Sequence, residues 1–303
     1  MMQVHFGIEL LKAEWPSAVA CLGTFDGVHR GHQTVISAAV QHARERGLPC
    51  VLVTFDRHPA SVLAPDRCPP SIAPLSLNLR QIESLGISAA VILPFTHELS
   101  QTTATDFLAQ VLIEKAHATE LVVGHDFAFG RGREGTTAWL KDRIATSVVP
   151  PFEIDGQRVS STIIRSAIER GDMEQVAHWL GRPFEIEGVV VGGQRLGREL
   201  GFPTINLARA YDGVVPADGI YSGKAHTSLG SFDAAISIGM RPTVNGSNRT
   251  IEAYLLNFPP TEIYGYSVRL EVRRWIRNEL KFDSLEALKE QMARDVEMVA
   301  NSR

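Results

Sequence analysis

The sequence is short of the features that tie a chain to the outside of a cell or to a lipid bilayer. Among its 303 residues are three cysteines, Cys21, Cys50 and Cys68. That odd set has no C-x-x-C spacing, which argues against a disulfide framework or a cysteine zinc site and favours a reducing compartment. No stretch reaches the ~20 apolar residues of a membrane span. The opening MMQVHFGIELLKAEWP has neither the basic start nor the long apolar run of a signal peptide. A large excess of one charge is also missing. Thirty Lys and Arg against 34 Asp and Glu leave a net charge of -4, which argues against a broad nucleic-acid-binding face while leaving room for a local basic cleft. A G-x-x-x-x-G-K-[ST] phosphate loop is absent from the sequence. The expectation is a soluble, cytoplasmic protein with no nucleic-acid and no membrane partner.

What is present divides into two textures. A chain of this length, 44% hydrophobic and 21% charged, can bury two cores of ordinary size. In the first half, apolar runs at 17–22, 49–55, 87–93, 119–124 and 145–150 read as strands. Helical patterns at 31–46, 78–85, 104–116 and 136–143 come between them. Such alternation predicts an α/β domain with a parallel sheet and flanking helices, whose ligands bind at the carboxyl ends of the strands. SSTIIRSAIERGD (160–172) predicts a helix with Ile164, Ala167 and Ile168 inward and Gly171 as its stop, and MEQVAHWLG a second. From about residue 185 the chain turns to short strands separated by Gly, Pro and Asn, which suits an antiparallel sheet or small barrel. A final helix over 283–299 has Asp283 as its expected N-cap and Leu285, Leu288, Met292 and Val296 along one face. The boundary is set at 184/185, giving domains 1–184 and 185–303. Nine of the ten histidines precede it.

Five segments carry candidate chemistry. In CLGTFDGVHRGHQTVI (21–36), His29 and His32 stand three apart at the entrance to a helix, among Gly23, Gly27 and Gly31. Free backbone N–H groups at a helix start favour anions, and glycines let the chain approach them closely. The pair suits a triphosphate and the charge that develops on departing pyrophosphate. The plainer alternative is two surface histidines at a turn. In VVGHDFAFGRGREG (122–135), Asp126 can meet a ribose hydroxyl or a metal, and Arg131 and Arg133 a phosphate, or the stretch is a solvent-exposed loop. VSSTIIR places Ser161 and Arg165 one turn apart. The hydroxyls of Ser160 to Thr162 either cap the helix or, with Arg165, close over nucleotide phosphates. In GRELGFPTINL (197–207), Thr204 and Asn206 point one way from an extended segment and can share Mg²⁺ with phosphate oxygens, or be a polar strand edge. In RTIEAYLL, Glu252 lies opposite Ile251, Ala253 and Leu255 and is the candidate general base of a half with one histidine, or a solvated strand residue.

These motifs, in this order, resemble the bacterial bifunctional riboflavin kinase/FMN adenylyltransferase family (FAD synthetases). Besides the segments above, VTFDRHP, GRPFEIEGVVVGG, PADGIYSG, GMRPTV and KFDSLEALKEQ carry the likeness over nearly the whole chain. The resemblance implies a Rossmann-like nucleotidyltransferase domain that joins AMP from ATP to FMN. A six-stranded antiparallel riboflavin kinase barrel with a terminal helix would follow it. Both reactions would use ATP and Mg²⁺, with riboflavin, FMN and FAD as substrates or products. It gives His29 and His32 the ATP phosphates, with Gly23, Phe25 and Asp26 as the nearby wall. Asp126, Ser161, Thr162 and Arg165 become supporting nucleotide contacts. In the kinase module it gives Thr204 and Asn206 to Mg²⁺-ATP, Glu252 to base catalysis and Arg277 to the flavin-side loop. The chain departs from the family pattern at Ile163, where arginine is common, and at Tyr254 and Asn257, where His and Asp are frequent. The rivals are another nucleotidyltransferase, which would need no second kinase barrel, and a non-catalytic flavin-binding protein on the same scaffold.

Overall fold

Strands that are apolar at every position need cover on both faces, and the first half of the chain supplies it. In the computed structural model, which describes residues 1–9, 11, 13–193, 197, 200–209, 213–243 and 246–301 (241–243 and 246–248 by backbone alone), the chain divides into two compact units, Met1–Ser161 and Thr162–Arg303. Arg198 and Glu199 of the GRELGFPTINL motif and Val244 of GMRPTV lie outside the described residues.

The first unit is built on a six-stranded sheet of β1 (Gln3–Phe6), β2 (Ala18–Leu22), β3 (Cys50–Phe55), β4 (Ala89–Leu93), β5 (Ala118–Gly124) and β8 (Ala145–Val149), in the order β1-β4-β3-β2-β5-β8. Every pair is parallel. Alternate residues feed two cores. Ala20, Val51, Val91 and Leu121 join one; Val19, Leu52, Ala90 and Val122 join the other. The long helix α1 (Arg30–Arg46) buries Val35, Ile36, Ala39, Val40 and Ala43 and ends at Gly47, whose φ of 66° only glycine adopts at little cost. Short helices α2 (Ala60–Leu63), α3 (Leu75–Ser84), α4 (His97–Gln101), α5 (Ala104–Asp106) and α6 (Thr137–Lys141) fill the crossovers. Strand order reverses at β2, which pairs with β3 on one side and β5 on the other. A crevice opens at the carboxyl ends of strands at such a point.

Two features differ from the sequence expectation. The edge strand β1 is additional; its Val4 and Phe6 are exposed, so it lacks the buried signature that marks the others. The helix expected at 104–116 begins as α5 but continues as a π-helix from Phe107 to Lys115. A two-stranded hairpin of β6 (Ala128–Phe129) and β7 (Gly135–Thr136), and another of β9 (Glu153–Ile154) and β10 (Gln157–Arg158), complete the unit.

In the second unit, α7 (its residues from Thr162; the helix is Ser161–Glu169) and α8 (Met173–Leu180) precede a closed barrel. Both helices thus group with the barrel, ahead of the change in texture at 184/185. Ile164, Ala167 and Ile168 are inward, as expected, and Gly171 follows with φ 78°. The barrel consists of β11 (Phe184–Val191), β12 (Thr204–Ala208), β13 (Gly219–Thr227), β14 (Gly230–Thr243), β15 (Gly246–Leu255) and β16 (Ser267–Arg277), ordered β11-β12-β15-β14-β13-β16. All six contacts are antiparallel. Its interior takes Phe184, Tyr221, Ile236, Ile238, Ala253 and Leu270. The terminal helix α9 (Leu285–Asn301) starts one residue later than expected. Ser284, not Asp283, caps it, its Oγ accepting the Ala287 N–H at 3.1 Å. Leu285 is exposed, whereas Asp295 and Val299 are buried.

Candidate functional site

A cavity of about 800 Å³ opens at the carboxyl ends of β2, β3, β5 and β8, with Leu22, Phe55, Gly124 and Val149 in its lining. The turn after β2 forms one side. Phe25 and Val28 both adopt positive φ, 46° and 41°, which is costly for non-glycine residues and needs surrounding contacts to hold it. The Asp26 carboxylate supplies them, accepting the Ile72 N–H at 2.9 Å and the Ala73 N–H at 3.4 Å. Asp26 is therefore an anchor of the turn and does not itself line the cavity, unlike Gly23 and Phe25. Gly27 has φ 76°, and a Cβ on it would stand 2.7 Å from Ile72.

His29 ends this turn as the N-cap of α1, its Nδ1 accepting the His32 N–H at 3.3 Å. The two imidazoles stack with centroids 3.7 Å apart and planes 18° apart, and Phe25 meets His32 edge-on at 5.4 Å. Gly31 leaves the room: a Cβ there would lie 3.1 Å from His29 Cε1. With Nδ1 accepting, neutral His29 carries its proton on Nε2. Ser161 lines the cavity and donates to the Asp26 carbonyl at 3.3 Å, so its hydroxyl serves the turn. Thr162 and Arg165 follow on α7 in the second unit and are not among the cavity's lining residues.

Asp126 lines the opposite side and is ion-paired to Arg158 at 2.5 Å. Partial burial pushes its carboxyl up, but the Arg158 hydrogen bond and charge, with His125, outweigh that and hold it below the usual range. Asp126 is the one carboxylate among the described lining residues, against Arg131, Arg133 and Arg158. Aromatic rings complete the wall. Phe55 and Phe95 meet edge-on at 5.1 Å, and the Phe129 and Phe107 centroids lie 5.5 Å apart. Sequence reading missed Arg158 and these rings. Their only signal was Phe55 in VTFDRHP and Phe127 and Phe129 in HDFAFG.

The second unit holds a separate cavity of about 360 Å³. Thr204 registers with Tyr254 and Asn206 with Glu252 across β12 and β15, while Ser237 of β14 stands opposite Glu252. Thr204 Oγ1 donates to Glu252 Oε2 at 3.4 Å. Ile251, Ala253 and Leu255 are buried, so Glu252 and Tyr254 emerge on the other face, into the cavity. Two glycines permit close approaches here: a Cβ on Gly193 would lie 2.3 Å from Asn206 Nδ2, and one on Gly197 would lie 2.4 Å from the Phe202 carbonyl oxygen. Hydroxyl, amide and carboxylate oxygens brought together in this way are the hard donors that suit Mg²⁺. Among the described residues no group of three or more His, Cys, Asp or Glu could hold a metal unaided.

Leu288, Met292 and Val296 of α9 form the apolar wall with Leu280 and Phe282. Arg277 also lines the cavity, but its donors are engaged. Nε and Nη2 donate to the two Asp295 oxygens at 2.8 and 2.5 Å, and Nη1 donates to the Asn278 carbonyl at 2.8 Å. Gln291 adds a third bond to Asp295 at 2.9 Å. Asp295 left no sequence signal beyond its place on the final helix. Two departures from the family pattern acquire local reasons: Tyr254 packs edge-on against Phe202 at 5.4 Å, and Asn257 has φ 57°, a conformation asparagine tolerates well.

Comparison with known proteins also finds two parts in the chain. The FAD synthetase family model matches residues 11–163 and the riboflavin kinase model residues 180–302. A bifunctional riboflavin kinase/FMN adenylyltransferase from Bacillus subtilis is 34% identical over 94% of this chain and 92% of its own length. The Haemophilus influenzae protein of the same name is 34% identical over 98% and 97%. A solved structure described as a macrolide-efflux protein from Streptococcus pneumoniae is similar with TM-score 0.91 and 30% identity over 100% of both chains. With two catalytic modules matched in order and relatives aligned almost end to end, the chain belongs to the bifunctional riboflavin kinase/FMN adenylyltransferase family.

Proposed function

We infer that the two cavities carry two consecutive steps. The chain phosphorylates riboflavin with ATP to give FMN, and joins FMN to the AMP portion of a second ATP, giving FAD and pyrophosphate. The observation that carries this is the match to both family models in one chain, each containing one of the two cavities. The catalytic modules are assigned to 1–184 and 185–303.

In the first module, the stacked His29 and His32 take the triphosphate. Their N–H groups meet charge developing on the departing pyrophosphate, where fixed donors act most strongly. Arg131, Arg133 and Arg158 offset the combined charge of ATP and FMN, and Asp126 orients Arg158. The pairs Phe55–Phe95 and Phe107–Phe129 receive the flavin ring. Gly23 and Phe25 flank the nucleotide, Ser161 and Asp26 hold the turn, and Thr162 and Arg165 remain nucleotide contacts by family likeness.

In the second module, Glu252 accepts the proton of the ribityl hydroxyl as that oxygen attacks the γ-phosphate, and the Thr204 hydroxyl orients the carboxylate. Thr204 and Asn206 fit Mg²⁺ shared with ATP oxygens. When bound, the ion neutralises charge on the phosphates. Arg277 holds α9 against the cavity through Asp295 and thus shapes the flavin side. A cytoplasmic setting agrees with three free cysteines. The Cys21 thiol is pushed well up by its hydrogen bond with Cys50 and by burial, which makes it inert. Among the described residues no helix is long and apolar enough to cross a membrane. Incubation with riboflavin, ATP and Mg²⁺, followed by chromatographic separation of flavins, tests the reading: FMN and then FAD appear, and a chain that makes neither contradicts it.

A further inference from the structure

The flavin wall of the first module is assembled from two segments distant in sequence, and one exposed carboxylate joins them. Phe107 opens the π-helix that continues from α5, and Phe129 ends β6. The N–H groups of a first helical turn have no partner within the helix. Thr103 Oγ1 accepts the Asp106 N–H at 3.1 Å, which leaves the Ala104 N–H to find an acceptor elsewhere. Ala104 is 1% exposed, so water does not serve. The acceptor is Glu134 Oε1, at 2.8 Å and thirty residues further on. A carboxylate at a helix start also meets the favourable end of its dipole.

The rest of the hairpin is fitted around this bond. Arg131 N–H donates to the Thr102 carbonyl at 2.8 Å. Side chains are excluded at both hairpin glycines, since a Cβ on Gly130 would stand 2.6 Å from the Ala104 nitrogen and one on Gly135 2.8 Å from Ala104 Cβ. Phe129 directly precedes Gly130 and Phe107 lies one turn beyond Ala104, so this joint fixes the 5.5 Å, 58° arrangement of the two rings. Runs of i→i+5 bonding are rare, and this one follows directly on the turn that Ala104 opens.

We propose that Glu134 is a positioning residue for FMN adenylylation, acting through the Ala104 N–H to set Phe107 against Phe129. This rests on the reading of those rings as the flavin wall. The test uses the full chain and three variants, Glu134→Ala, Glu134→Gln and Phe129→Ala. FMN binding is read by flavin fluorescence, and KM for FMN and for ATP come from steady-state adenylylation. Loss of a helix-start acceptor corresponds to about a 3- to 30-fold change in an equilibrium. Glu134→Ala is therefore expected to raise the FMN Kd and KM by that range, with kcat and the KM for ATP nearly unchanged. Glu134→Gln keeps an acceptor oxygen and is expected to restore most of the loss. Wild-type FMN binding in Glu134→Ala, with Phe129→Ala impaired, overturns the proposal and leaves the flavin wall standing. Wild-type binding in Phe129→Ala overturns the flavin wall itself. Equal losses for FMN and ATP in Glu134→Ala, or no rescue by glutamine, assign Glu134 to general stability or to its charge and likewise overturn the proposal.

Discussion

Replacing Asp295 by alanine should damage the kinase module in a way the structure allows to be sized. The residue is buried, and its partner Arg277 has a side chain only 17% exposed. The substitution removes two hydrogen bonds from Arg277 and one from Gln291 and leaves a guanidinium in a site where water replaces the carboxylate poorly. Breaking a buried pair by deleting one partner costs about 3–5 kcal/mol. The retained bond to the Asn278 carbonyl puts the expectation toward the lower figure. For a unit of this size, that is a fall of about 10 °C in the midpoint of its unfolding transition. Because α9 supplies Leu288, Met292 and Val296 to the cavity, KM for riboflavin should rise together with the loss of stability. Thermal unfolding and riboflavin phosphorylation are measured on Asp295→Ala, with FMN adenylylation as the internal control. An Asp295→Leu, Arg277→Met double variant should recover most of the stability, because apolar replacement of both partners leaves no stranded charge. Wild-type melting and wild-type riboflavin KM in Asp295→Ala would refute the reasoning.

Three further expectations concern stability. Burial pushes the Tyr221 hydroxyl up to about 12, its proton directed to the Ala217 carbonyl at 2.6 Å. Its stabilising contribution is complete below the ordinary tyrosine value of about 10 and is lost as pH rises through about 12. Wild type should lose about 3 kcal/mol more than Tyr221→Phe over that window, and parallel urea midpoints for the two would contradict the assignment. Gly27→Ala combines positive φ with a Cβ 2.7 Å from Ile72 and should cost about 2–4 kcal/mol, lowering adenylylation and sparing riboflavin phosphorylation; unchanged melting would count against the strained turn. A fragment of residues 162–303 should fold and make FMN alone. Residues 185–303 should be less stable, because α7 and α8 bury Ile164, Val176, Trp179 and Leu180 and each such side chain is worth roughly 1.5–3 kcal/mol. A folded but inactive 162–303 fragment would mean that the first unit completes the kinase site.

The parts of this molecule that could be read from sequence are those whose cause is local. β2 and β4 declared themselves because a doubly covered parallel strand is apolar at every position. His29 and His32 could be read because the turn, the glycines and the helix start adjoin them. β1 could not, since an edge strand exposing Val4 and Phe6 has no buried pattern to detect. The π-helix from Phe107 is likewise illegible: its apolar residues fit a 3.6-residue repeat closely enough to read as an ordinary helix. Asp26 looked like part of the nucleotide wall because it sits inside the motif, yet its partners are Ile72 and Ala73, on the far side of β3 and α2. Asp295 appears in sequence as an ordinary surface charge and Arg277 stands out by family likeness alone, and only the seating of α9 on the barrel turns them into a bidentate pair. Side chains that serve one segment are visible in that segment, whereas side chains that join two segments become visible only when the fold brings both together.

The central claim is that one chain carries two chemically independent sites, with a histidine pair at one and a carboxylate base at the other. It is tested most directly by two rates on each of two variants: FMN formed from riboflavin, and FAD formed from supplied FMN. Glu252→Gln should lower the first by about 100- to 10,000-fold, the usual contribution of a positioned base, and leave the second near wild type. The His29→Ala, His32→Ala variant should do the reverse, slowing FAD formation by about a hundredfold or more while riboflavin is still phosphorylated. Both rates falling together in either variant, or wild-type riboflavin phosphorylation in Glu252→Gln, would contradict it.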